Sequence, residues 1–138
     1  MNGVNDFAFK IGTVNGTGSA SANGLIMQAI FRMGIPVSGK NIFPSNIQGL
    51  PTWYEVRVSE AGYLARREGI DFMVAMNPQT YQEDLKEVVP GGWLLYDETM
   101  PRIWNRSDIT ILGIPIAEVC AKKWKDARQR QLFKNMVY

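Results

Sequence analysis

Apolar and polar residues alternate along "FAFKIGTV", with Phe7, Phe9 and Ile11 on one face. A period of two predicts a strand over Phe7–Val14. After the loop Asn15-Gly16-Thr17-Gly18-Ser19 the period changes. Ala22, Leu25, Ile26, Ala29, Ile30 and Met33 recur at helical spacing, which predicts an amphipathic helix. Gly34 supplies a left-handed helix end and Pro36 prevents continuation. "IPVSGKN" reads as a short second strand. Residues 43–51 carry two prolines and a glycine, which is loop chemistry. Tyr54, Val56 and Val58 then alternate with Trp53, Glu55, Arg57 and Ser59, the pattern of a strand with one wet face. "SEAG" turns the chain, and "YLAR" is expected to return as the hairpin partner, over residues 52–66.

"IDFMVAMN" is almost continuously apolar, as a strand covered on both faces would be. Asn77-Pro78 is a helix start, with Tyr81, Leu85 and Val88 on one face and Glu83, Asp84 and Glu87 solvated. Pro90-Gly91-Gly92 ends that helix. "WLLYDE" and "ITILGIP" read as two more buried strands, and the chain is helical again from Ile116 through Val119, Cys120 and Trp124. The expected fold is α/β: an open, mostly parallel, Rossmann-like or flavodoxin-like sheet with helices on both faces and an antiparallel edge hairpin. Residues 1–138 are expected to form one domain. Leu132, Phe133, Met136 and Val137 form an apolar stripe reaching Tyr138, which is expected to be under-packed and to meet a continuation of the chain or a partner.

Composition narrows the chemistry. The chain has no histidine and one cysteine, so the commonest general base and metal ligand is missing. One thiol cannot supply the roughly four ligands of an iron–sulfur cluster. Cys120, between Val119 and Ala121, reads either as a buried small hydrophobe or as a redox thiol. No catalytic and no metal-ligating residues are assigned. A formal net charge of +2 is too small to imply a nucleic-acid or membrane surface. The basic run Lys122, Lys123, Lys125, Arg128 and Arg130 is broken by Asp126, and reads as a solvated or subunit-contact helix. No apolar run reaches the roughly 18 residues of a membrane span. Met1–Asp6 lacks the pattern of a signal peptide, so a cytoplasmic location is expected.

Two loops carry the candidate binding chemistry. In Gly16-Thr17-Gly18-Ser19-Ala20-Ser21 the first two glycines of a dinucleotide fingerprint are present and the third is serine. The acidic residue expected about 20 positions on is absent, and there is no Gly-Lys-Ser/Thr. The loop is open to three readings: a dinucleotide site, contact with another phosphate-bearing ligand, or a tight strand-to-helix turn. "PSNIQGLPTW" offers the neutral hydrogen-bonding side chains of Asn46 and Gln48, with Gly49 free to adopt conformations closed to other residues. It is either a wide turn or a recognition loop at the same sheet end.

Together "VNGTGSASAN", "GIPVSGKNIFPSNIQGLPTWYEVRVS" and "DFMVAMNPQTY" resemble the gamma-type domain of 2-oxoacid:ferredoxin (acceptor) oxidoreductases. They are most similar to the version fused at the N-terminus of the alpha subunit in 2-oxoglutarate-type enzymes. The resemblance implies an accessory domain of an enzyme that oxidatively decarboxylates a 2-oxoacid to an acyl-CoA and passes electrons to ferredoxin. It implies thiamine diphosphate, magnesium and iron–sulfur clusters on partner domains or subunits, with no cofactor on this chain and no activity of the chain alone. It also implies that Gly16, Thr17, Gly18, Ser19, Asn46, Gln48 and Gly49 lie on the coenzyme A side. The sequence departs from stand-alone gamma subunits: Ser19 and Ser21 replace glycines of Gly-x-Gly-Gly-x-Gly, and "NIQGL" stands where Glu-Met-Arg-Gly-Gly is common. An independent phosphate- or nucleotide-binding module and a purely structural assembly domain are the alternatives.

Overall fold

In the computed structural model, which describes residues 5–138, the first period-two segment is strand β1, Asp6–Val14. The start of the chain read for a leader, residues 1–4, lies outside the described residues. The elements that follow are α1 (Ser19–Arg32), β2 (Val37–Ile42), β3 (Pro51–Ser59), β4 (Ile70–Ala75), α2 (Tyr81–Glu87), β5 (Val88–Asp97), β6 (Thr110–Ile114), α3 (Ile116–Lys123) and α4 (Ala127–Val137). They build one six-stranded sheet in the order β2-β3-β1-β4-β5-β6. β1, β4, β5 and β6 run parallel, and β3 is antiparallel to both of its neighbours. The α/β class and the mostly parallel sheet are as expected.

The edge hairpin is made of a different pair. β3 returns against β2, not against "YLAR", which forms no strand. β3 therefore lies inside the sheet, flanked by β1. Its supposed wet face is covered: Glu55 and Arg57 are buried, like Val56 and Val58. Lys10 on β1 is opposite Glu55 in register, but the two charges are satisfied separately, Lys10 by Glu87 and Glu55 by Arg66.

Period-two alternation divides the core between the two faces of the sheet. Phe9, Ile11, Val56, Val58, Val74 and Leu95 face α1, α3 and α4, and meet Ile116 and Cys120 there. Ala8, Met73, Ala75 and Leu94 face α2, with Leu85. Full burial of a side chain such as Ile11 or Val58 contributes roughly 1.5–3 kcal/mol. Cys120 is a buried member of this core, and burial pushes its thiol up, away from the reactive thiolate.

Four elements depart from the pattern read along the chain. β5 begins at Val88, directly after α2, so Val88 and Pro90-Gly91-Gly92, expected to finish the helix, are the first part of a strand. Most of the apolar stripe of α1 points outward: Leu25, Ile26, Ala29 and Met33 are exposed and Ala22 is half-buried, while Ile30 packs on the core and Ser19 and Asn23 are buried. α2 begins at Tyr81, three residues after Pro78. Asn77 makes the preceding turn, accepting from Gln79 N at 2.9 Å and donating to the Thr13 carbonyl at 3.2 Å. Asp84 of α2, expected in water, is fully buried. β6 is an edge strand with Leu112 and Ile114 partly exposed, because nothing pairs with its outer side among the described residues.

Candidate functional site

β1, β2, β4 and β5 point the same way, so their carboxyl ends open on one side of the sheet, where ligands of open α/β sheets collect. The glycine loop follows β1 and the Asn46 loop follows β2. The two are joined along their backbones. Asn15 N donates to the Leu50 carbonyl at 2.8 Å, and Gly49 N donates to the Asn15 carbonyl at 3.0 Å. The Asn15 side chain adds a bond to the Ile47 carbonyl at 3.1 Å. These bonds set Gln48 directly over Gly16.

Gly16 and Gly18 have φ of 85° and 81°, a region that costs other residues about 1–2 kcal/mol. Gly18 caps α1 without a side-chain hydrogen bond, so the free N–H groups of the first turn are left to the backbone's own dipole. The hydroxyls in the loop are already engaged. Thr17 Oγ1 donates to the Val14 carbonyl at 2.8 Å, and Ser19 Oγ shares a buried 2.8 Å bond with Thr13 Oγ1. Of the seven predicted residues, Gly16, Gly18, Asn46, Gln48 and Gly49 are exposed, Thr17 is half-buried and Ser19 is buried. The Thr17 hydroxyl proton is therefore not available to an anion, and the buried Ser19 hydroxyl is closed off by Thr13.

A Cβ added at Gly16 would lie 2.6 Å from Gln48 Cγ. Gly16→Ala is expected to destabilise the chain by about 1–2 kcal/mol from φ alone, plus the displacement of Gln48. In a Gln48→Ala background the steric part disappears and the φ part stays. Denaturant titration of the two single variants and the double variant checks this, and strictly additive effects would mean that the Gln48 side chain does not press on position 16.

The wall opposite the Asn46 loop was not read from the sequence. α4 folds back so that Asn135 Nδ2 donates to the Thr17 carbonyl at 2.7 Å. Beneath it lies a crevice of about 160 Å³, lined among others by Thr13, Thr17, Met76, Asp97, Lys134 and Tyr138. Asp97 Oδ1 accepts from Thr99 Oγ1 at 2.7 Å and from Ala117 N at 3.4 Å, and Oδ2 pairs with Lys134 Nζ at 2.9 Å. Burial works to raise the Asp97 carboxyl. The Thr99 hydroxyl, the Lys134 ammonium and the Ala117 N–H outweigh it and hold the group below its usual 3.8. Asp97 and Lys134 neutralise each other and brace β5 against α4. No local motif marks this wall, since Thr17 and Asn135 are 118 positions apart.

The assembled surface is a neutral cradle of backbone N–H groups, two amide side chains and glycines. It can bind an anionic or polar group, and the acid and base in its wall, Asp97 and Lys134, are paired with each other. No three His, Cys, Asp or Glu residues cluster with metal-site geometry among the described residues. No helix there is long and apolar enough to cross a membrane.

Comparison with known proteins places this architecture. The alpha subunit of 2-oxoacid:ferredoxin oxidoreductase 2 from Aeropyrum pernix is 28% identical over 92 residues, which is 67% of this chain and 14% of that protein. The solved 2-oxoglutarate:ferredoxin oxidoreductase of Magnetococcus marinus, with 2-oxoglutarate, coenzyme A and succinyl-CoA bound, superposes with a TM-score of 0.83 at 25% identity. It covers 98% of this chain and 23% of that one. The gamma subunit of a keto/oxoacid ferredoxin oxidoreductase from Geobacter sulfurreducens shares the fold, with a TM-score of 0.73 at 16% identity over 95% of this chain and 72% of that subunit. The chain thus spans a small part of the longer relatives and most of a stand-alone gamma subunit. The pyruvate ferredoxin/flavodoxin oxidoreductase family matches residues 8–138, from the third residue of β1 to the last residue, and the chain belongs to that family.

Proposed function

We propose that this chain is the gamma-type accessory domain of a 2-oxoacid:ferredoxin oxidoreductase, with 2-oxoglutarate as the 2-oxoacid, and that it forms the coenzyme A side of the active site. The carrying observation is the pair of joined loops. Gly16, Gly18 and the uncapped start of α1 lie beside Asn46, Gln48 and Gly49 at the ligand-collecting end of the sheet. A phosphate of coenzyme A approaches the α1 N-terminus, where free N–H groups and the helix dipole favour an anion. Asn46 and Gln48 supply neutral hydrogen bonds. The likeness to an enzyme solved with coenzyme A and 2-oxoglutarate bound supports this choice of ligand and substrate.

The chain's own residues do not fit the redox or thiamine chemistry. It has one cysteine, buried in the core, and no histidine. Thiamine diphosphate, magnesium and iron–sulfur clusters belong on partner domains or subunits, so the chain alone is expected to turn over no 2-oxoacid. One helix terminus contributes about 0.3–1 kcal/mol to an exposed charge, far below the roughly 8 kcal/mol of micromolar binding. The partners must supply the rest.

The test is Gly18→Val in the assembled enzyme. A Cβ at Gly18 meets nothing closer than Leu132 at 3.6 Å, so the Cβ itself fits and the cost to the fold starts from the φ contribution, about 1–2 kcal/mol. The KM for coenzyme A is expected to rise about threefold to tenfold, while thiamine-dependent decarboxylation is unchanged. Unchanged coenzyme A kinetics in a properly assembled complex would reduce the loop to a turn.

A further inference from the structure

α1 and α4 are both turned with polar residues inward. Asn23 and Asn135 are buried. The hydroxyl of Tyr138 lies between their side-chain oxygens, 3.5 Å from Asn23 Oδ1 and 3.4 Å from Asn135 Oδ1. Asn135 also holds the Thr17 carbonyl. The seam between these helices and the sheet therefore mixes polar and apolar groups: Ile30 and Val137 pack on the core, while several of the larger apolar residues of the two helices are displaced to the outside. Leu25 is 55% exposed, Leu132 52% and Met136 65%. An amphipathic helix on a sheet ordinarily has the reverse polarity. Between the two helices lies a groove of about 400 Å³, lined mainly by Gly18, Ser21, Ala22, Leu25, Leu132 and Met136. Small residues on the α1 side let another backbone come close.

The charges select the occupant. α1 carries one charged residue, Arg32, and α4 carries Arg128, Arg130 and Lys134; Lys134 is paired with Asp97 and Arg130 donates to the Trp124 and Lys125 carbonyls, so Arg32 and Arg128 are the exposed cations that set the sign of this surface, and neither helix contains an acid. A second copy laid on this groove would set cation against cation. A helix with an apolar stripe and acidic flanks would be attracted by both its stripe and its charge. The superposed 2-oxoglutarate oxidoreductase chain is much longer, and this chain matches 23% of it. In such a relative the gamma-type unit has the rest of a large enzyme against which to pack.

We propose that the α1/α4 groove is the seat of one such helix, apolar on one side and acidic on its flanks, contributed by another domain or subunit of the oxidoreductase. The proposal rests on the reading of the chain as an accessory domain. It adds a mechanical link to that reading, because Gly18 lines both the groove and the glycine loop. A helix seated in the groove touches the same turn that is assigned to coenzyme A.

The experiment co-produces the chain with the oxidoreductase polypeptides encoded beside it and compares wild type with Leu25→Glu, Leu132→Glu and the double charge reversal Arg32→Glu/Arg128→Glu. All four positions are exposed, and circular dichroism confirms that each variant is folded. Co-purification is expected to fall at least tenfold for the leucine variants and severalfold for the charge reversal. In the wild-type complex, amide exchange is expected to slow over Gly18–Leu25 and Leu132–Met136. Leucine variants that assemble as wild type, with no slowing at those segments, would overturn the groove while leaving the accessory-domain reading intact. A chain that sediments as a homodimer and becomes monomeric on Leu132→Glu would assign the groove to a second copy and also overturn it. Failure of the wild-type chain to bind any of the oxidoreductase polypeptides would remove the functional reading and the groove together.

Discussion

Asp84→Asn is expected to stabilise the chain by about 2–3 kcal/mol at pH 7.5 and to leave its stability at pH 4 nearly unchanged. Asp84 is buried beneath Trp53, whose Nε1 donates to Oδ1 at 2.7 Å, and Thr80 Oγ1 donates to Oδ2 at 3.2 Å. Burial raises its carboxyl from 3.8 to about 6, against the opposing pull of the two hydrogen bonds and of Lys10, with Glu87 adding to the rise. Between those two values the folded chain keeps a proton that the unfolded chain has released. The stability contribution is therefore fully present below pH 3.8 and is lost as pH rises through 6. At 1.36 kcal/mol per pKa unit the loss is about 3 kcal/mol. Asparagine keeps an acceptor for Trp53 and presents an N–H that the Thr80 hydroxyl can accept, with no charge to desolvate. It gives up the attraction of Lys10, which trims the gain. Denaturant titration of both proteins from pH 4 to 8, read through tryptophan emission, checks the prediction. A difference that is flat across that window would refute it.

Asp84 also marks a limit of reading by period. Glu83, Asp84 and Glu87 look alike along the sequence, and Glu83 and Glu87 are exposed. Asp84 goes inside because Trp53, 31 positions earlier, brings an N–H that needs an acceptor. The same holds across β3. Its alternation correctly separates Tyr54, Val56 and Val58 from Trp53, Glu55 and Arg57, but it cannot tell that both sets are covered. That depends on α2 and on residues 60–69 closing over the second face. Buried charges became tolerable there only through partners distant in sequence, such as Glu87 for Lys10.

The strand–glycine–helix unit was legible because each signal is local: period two, positive-φ glycines, then period 3.6. The direction of the α1 stripe was not. Periodicity reports that a helix has two faces, and the partner decides which one is inward. Here α4 supplies Asn135 and Tyr138 more than a hundred residues later, and they satisfy Asn23 and Thr17 inside. The second loop was read from composition alone. Its contact with the first follows from strand order, because β3 carries the chain from β2 back to β1 and sets Leu50 and Gly49 beside Asn15.

Arg66→Met is expected to destabilise the chain by about 2 kcal/mol, and Glu55→Gln in the same chain to restore at least half of that loss. The Glu55 side chain is only 2% exposed. Its cross-strand neighbour Lys10 is engaged elsewhere, with Nζ 2.7 and 2.6 Å from the two carboxylate oxygens of Glu87. Glu55 therefore depends on Arg66, whose Nε donates to Oε1 at 2.8 Å and whose Nη2 lies 2.7 Å from Oε2. Removing one partner of a buried pair typically costs 3–5 kcal/mol, because the other charge is left uncompensated. The Arg66 side chain is 51% exposed, so water and salt screen the pair and the lower figure of about 2 kcal/mol applies. Methionine keeps the aliphatic cover of the arginine stem, which separates loss of charge from loss of packing. Glutamine at position 55 then removes the stranded charge. Residues 60–69 should also exchange amide protons faster in Arg66→Met, since the ion pair ties that segment to β3. A loss below about 0.5 kcal/mol, or no recovery with Glu55→Gln, would show that Lys10 turns to serve Glu55 and that the arginine is dispensable.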